Sequence, residues 1–248
     1  MSVAHRTERN GNRHFAIMIF AKQPELQRSG GDEPYAALPW EDLDRLSAAL
    51  VSDLIEQACQ VSIADVFLIY HPAVRPSDEF LRNFEDRVRY IELSDSTVPL
   101  NYSFLAEFTS AQPYQRLILV FENYPLLSSQ LFMKTFSHLG SEEEKIVLGQ
   151  TLDGDCFYLG LRSPYQGFFE EGGQDLLGKS RGMLSHVCSQ NAIVCPVQPV
   201  TPLTSGYHLA SLRDLIAEMD EDDPVYPRHS STVFRFFDKK YKYRKHGQ

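Results

Sequence analysis

Several absences narrow this chain before any motif is read. Its four cysteines, Cys59, Cys156, Cys188 and Cys195, form no Cys-x-x-Cys pair, which leaves no zinc knuckle and no disulfide framework. Cys59 and Cys156 fall in apolar helix and strand patterns, where a thiol behaves as a small hydrophobe. The eight histidines are dispersed, with no His-Glu-x-x-His spacing to bind a metal. There is no Gly-x-Ser-x-Gly elbow, so a serine hydrolase would lack its nucleophile. No apolar run is long enough to cross a bilayer. The polar stretch 1–14 has no apolar centre, so it is expected to be a loosely ordered leader and not a secretory signal. Basic residues are outnumbered, 24 Lys and Arg against 33 Asp and Glu, and a net charge of −9 argues against general nucleic-acid binding. No internal repeat is present. A reduced, cytoplasmic chain is the expectation.

What is present is an alternation of strands and helices. Phe15–Ala21, Val66–Tyr70, Val88–Leu93, Arg116–Phe121 and Ile193–Val197 read as strands, several of them apolar throughout and hence buried on both faces. The pattern predicts helices over Glu41–Gln60, Ser77–Glu85, Leu100–Phe108 and Leu209–Met219, one capped by Ser128 or Ser129, and one through Met183 and Val187. At 248 residues this predicts an α/β class, with a three-layer, Rossmann-like and mainly parallel sheet. Ligands of such sheets bind at the carboxyl ends of the strands, here the loops after Ala21, Phe121 and Gly149.

Two local patterns carry chemistry. In Ile146–Leu161, apolar runs flank Asp153-Gly154-Asp155. One reading is a buried hairpin, because Asp-Gly is a strong turn signal. The other takes the segment as extended, which would turn both carboxylates to one face where they could share a cation. Gly173–Ser180, GQDLLGKS, matches the P-loop expression in full. A working P-loop leaves a buried strand, however, and the preceding Gln166–Glu171 is a poor strand that ends in two glutamates. The end of the chain is split by charge: Met219–Pro224 is acidic, and Asp238–His246 is basic with interleaved tyrosines. A solvated terminal extension is the expected state of the latter.

Three strand-end segments together resemble a bacterial family of the glycosyltransferase A type, with the nucleotide-diphospho-sugar transferase fold. Phe20-Ala21-Lys22-Gln23-Pro24 matches the start of the family's first motif, and Arg28 fits its first arginine. Phe121-Glu122-Asn123-Tyr124-Pro125, followed by Leu127-Ser128, stands where the family has Gly-Ser-Asp-Cys-Pro and Leu-Thr. Leu148-Gly149-Gln150-Thr151-Leu152-Asp153-Gly154-Asp155-Cys156-Phe157-Tyr158-Leu159-Gly160-Leu161 follows its Leu-Gly-Pro-x-x-Asp-Gly-Gly-Tyr-Tyr-Leu-x-Gly-Leu. The resemblance spans Phe15 to Met219, which gives a leader at 1–14, a transferase-like domain at 15–219 and a charged tail at 220–248.

The resemblance implies a nucleotide or nucleotide-sugar ligand contacted by Ala21, Lys22, Arg28 and Asn123. It also implies Asp153 as the catalytic carboxylate, and a divalent cation, magnesium or manganese, held by Asp153 and Asp155. The departures strip charge from that site. The family's metal-site aspartate is Asn123 here, a neutral and weaker ligand. Its basic Lys-Thr-Arg continuation is replaced by Ser29–Glu33, its Leu-Gly-Glu-Arg segment by Leu100–Ser103, and its late Asp-Val-Asp-Thr motif is missing. The expectation is a divergent nucleotidyl or sugar transferase with a weakened metal and phosphate site. The alternatives are a catalytically inactive relative that acts by binding, and a P-loop NTPase through Gly173–Ser180.

Overall fold

The computed structural model describes residues 14–21, 35, 38–72, 75–93, 114–121, 123–140, 145–162 and 193–242. Its strands are β1 (Phe15–Phe20), β2 (Ala64–Tyr70), β3 (Val88–Glu92), β4 (Arg116–Val120), β5 (Lys145–Thr151), β6 (Cys156–Arg162) and β7 (Ile193–Val200). The helices are α1 (Trp40–Cys59), α2 (Asp78–Phe84), α3 (Ser129–His138), α4 (Gly206–Glu218) and α5 (Arg228–Lys242). Ser77, Ser128 and Ser205 each cap a helix, their hydroxyls accepting from the backbone N–H groups of Phe80, Leu131 and His208.

The seven strands order as β3-β2-β1-β4-β6-β5-β7. Only β6 runs antiparallel, to both β4 and β5, and every other pairing is parallel. The continuous apolar strands are explained by burial on both sides. Along β1, Ile17 and Ile19 pack with α1, α2 and α3, while Ala16, Met18 and Phe20 join a second cluster with Phe67, Leu119 and Leu159 on the opposite face. The sheet is therefore α/β, Rossmann-like and mainly parallel, as the strand pattern predicts.

The helix expected at Leu100–Phe108, the one through Met183 and Val187, and the Gly173–Ser180 segment lie outside the described residues. The terminal region corrects an expectation. Through Lys242 the basic segment is not a solvated extension: it belongs to α5, an amphipathic helix packed along α1. Val233, Phe234 and Phe237 are buried with Leu46 and Leu50 of α1 and Leu209, Leu212 and Ile216 of α4. Polar contacts hold both ends. The Asp53 carboxylate accepts from the backbone N–H groups of His229 (2.9 Å) and Ser230 (2.8 Å), capping the first turn of α5 from α1. About 16 Å away along the two helices, by their rise per residue, Lys240 and the Tyr241 hydroxyl both donate to Asp42. The acidic Met219–Pro224 segment is the connector, turned by Asp220 and Asp223 carboxylates that accept from the N–H groups of Asp222 and Val225.

Candidate functional site at the carboxyl edge of the sheet

From β1 the chain winds outward through β2 to β3, then returns to the other side of β1 as β4. Neighbouring parallel strands whose connections diverge leave a crevice above their carboxyl ends. By that rule of strand order the candidate ligand edge here is at the ends of β1 and β4, where Ala21 and Asn123 follow their strands. Ala21 is half-buried, and its N–H donates to the Ile69 carbonyl of β2 at 2.8 Å, so the chain leaves β1 still paired. Lys22, Arg28 and Glu122 lie outside the described residues.

Asn123 is only 2% exposed. Such an amide is a packed group. The β4–β6 register, Val120 opposite Tyr158, is prolonged by the Phe121 N–H donating to the Phe157 carbonyl at 2.9 Å.

Asp153 and Asp155 are both exposed, but not as consecutive same-face residues of a strand. They flank a turn: Gly154 has φ 91°, its N–H donates to the Thr151 carbonyl at 2.9 Å, and Thr151 N–H donates to the Asp155 carbonyl at 2.7 Å. The extended-segment argument for a shared face is thereby corrected, and the hairpin reading describes the backbone. Leu152 N–H donates to the Val200 carbonyl at 3.1 Å, so β7 also fixes the turn. Among the described residues no three His, Cys, Asp or Glu side chains come together as a metal-binding group. Two exposed carboxylates on one turn fit a divalent cation only if substrate oxygens and water complete its shell.

A further residue enters from the structure. His71 follows β2 at the same edge, with a buried Nδ1 that has no hydrogen-bond partner among the described residues. Its signal in the sequence was the His-Pro step ending an apolar strand. Beside it, burial and the neighbouring Glu92 carboxylate push the Tyr70 hydroxyl up, so it stays a neutral donor. Arg75, whose charge reaches Tyr70, is paired with Asp78 at 3.3 Å.

Against solved structures, the chain superposes on a protein of Desulfovibrio desulfuricans G20 named as a nucleotide-diphospho-sugar transferase. The TM-score is 0.65 at 15% identity, over 91% of this chain and 96% of that one. This is the nucleotide-diphospho-sugar transferase fold. It is shared with a nucleotidyl transferase of Methanothermobacter thermautotroptrophicus (TM-score 0.54, 10% identity, 83% of this chain and 98% of that one). A cytidylyltransferase of Leptospira borgpetersenii serovar Hardjo-bovis is similar to the same extent (TM-score 0.53, 8% identity, 92% and 95%). No family model and no curated protein matches the sequence. At these identities the nucleotide-diphospho-sugar transferase fold is shared, and the site has to be argued from its own residues. Among the described residues no helix is long and apolar enough to cross a membrane.

Proposed function

We propose that this chain binds a nucleotide or nucleotide-sugar in the crevice above β1 and β4, as a divergent nucleotidyl or sugar transferase with a weakened metal and phosphate site. The observation that carries the reading is the reversal of strand order at β1, with Ala21 and Asn123 at the two strand ends. Lys22 and Arg28, in the segment of the sequence that follows β1, supply positive charge to the diphosphate. Asp153, on the tethered turn, positions the acceptor hydroxyl and receives its proton. Asp155 stands with Asp153 as a weak site for a divalent cation, which when bound would neutralise phosphate charge but would add little to nucleotide affinity. His71 offers its ring nitrogen to the ligand from the end of β2.

A specific observation favours the second reading, a non-catalytic relative that binds without turnover. The buried amide of Asn123 withholds charge where the pyrophosphate needs it, and the remaining carboxylates sit exposed on a turn. The third reading, a P-loop at Gly173–Ser180, depends on residues outside those described.

Calorimetric titration of GDP, UDP and CDP, with and without manganese, tests the proposal. The expected result is weak binding of at least one nucleotide, nearly indifferent to manganese and diminished by Lys22→Ala and Arg28→Ala. Tight, strictly metal-dependent binding would show an intact site. Binding by none of the three would remove the nucleotide reading.

A further inference from the structure

A cavity of about 500 Å³ lies on the α3 face of the sheet, between that helix and the edge strand β7. Its size is that of a small-molecule site. Leu127, Leu131, Val147, Val197 and Val200 give the cavity an apolar side with the half-buried Cys195 thiol among them, while Ser128, Thr135 and Gln198 add polar groups around it. Lys134 and His138 stand one turn apart on α3 and line the same cavity. No described lining residue is acidic, in a chain of formal net charge −9.

The edge strand itself argues against an added β-strand as occupant. Pro196 and Pro199 both lie in β7 and each lacks a backbone N–H, and the register with β5 shifts between them, which makes the strand a poor template for further pairing. What matches the lining is an apolar body carrying one negative charge.

From this lining we infer that the α3–β7 cavity binds a small amphipathic anion, an alkyl chain ending in a carboxylate or phosphate, with the chain against Leu131, Val147 and Val197 and the anionic end at Lys134. The cavity adjoins the crevice at β1 and β4, since its lining reaches Tyr124 beside Asn123 and Val200 beside the Asp153 turn, but its occupant is read from the lining alone and not from nucleotide binding.

Cys195 supplies a readout that needs no activity. Cys156 is buried, with its thiol pushed up to about 12, and does not compete for alkylation at pH 8. Iodoacetamide modification of Cys195 in the full chain, followed by peptide mass spectrometry, is measured against decanoate, decyl phosphate and decanol below their aggregation concentrations. Saturable protection of Cys195 by decanoate or decyl phosphate, and weaker protection by decanol, is expected, and the stronger of the two anions identifies the head group. Lys134→Glu should weaken decanoate about fivefold, the scale of an exposed ion pair. Val197→Trp, which fills the cavity, should abolish saturable protection. Decanol protecting as well as decanoate, an unchanged Lys134→Glu variant, or no protection by either anion would overturn the assignment.

Discussion

At the scale of single residues, burial decides which groups are chemically available. Asn123→Asp would place an ionised carboxylate where the side chain is 2% exposed, at a cost of about 1–3 kcal/mol. Burial raises the folded-state pKa of such a carboxyl, so the loss is full above that raised value. It fades as pH falls toward the unfolded value near 4. Thermal melts of Asn123→Asp between pH 4 and 8 should show this trend, and recovery on adding manganese would reveal a metal within reach of position 123. Lys179→Ala tests the P-loop expression directly: nucleotide affinity should stay within about threefold, under 1 kcal/mol. A much larger loss in the same calorimetric titration would restore that reading.

At the scale of elements, close approach and capping fix the packing around the site. Gly160 of β6 sits under α3, where an added Cβ would meet Thr135 Cγ2 at 2.7 Å. Thr135 has little freedom to yield, because its hydroxyl accepts from buried Tyr158 at 2.8 Å. Gly160→Ala should therefore destabilise by about 1–3 kcal/mol in urea unfolding, through overpacking. The α5 helix depends on Asp53 in a different way. Asp53→Ala leaves the His229 and Ser230 N–H groups without their acceptor, and should cost about 1–2 kcal/mol. Faster tryptic cleavage within α5 would report the loosening.

At the scale of the whole molecule, acid should release α5 from α1. Burial alone would push the Asp42 carboxyl up, but hydrogen bonds from Lys240 and Tyr241 and the Lys240 charge outweigh it and hold the group below its ordinary 3.8. A depressed folded pKa gives stability that is complete above about 4 and lost as pH falls through the folded value. Limited proteolysis by pepsin should therefore show α5 protected at pH 4.5 and cut at pH 2.5, while Asp42→Asn should be cut at both. Equal cleavage of the two proteins at pH 4.5 would separate α5 docking from this contact.

The sequence by itself determined the strands, because residues buried on both faces must be apolar throughout, as Leu117–Phe121 and Phe15–Ala21 are. It also offered a turn at Asp153–Asp155 beside an extended reading, and narrowed a helix cap to Ser128 or Ser129, since both signals are set by neighbours in the chain. The α5 helix was harder to read, although Val233, Phe234, Phe237 and Tyr241 recur at helical spacing, because the surrounding lysines and arginines mask that stripe in any count of charge. Only the tertiary structure could decide that Asn123 is buried, that Asp153 and Asp155 flank a turn, and that His71 stands at the ligand edge with a buried ring nitrogen. Burial and convergence belong to contacts between β2, β4 and β6, which are far apart in the chain. A local pattern sets backbone conformation, whereas the company a side chain keeps is set by strand order and register.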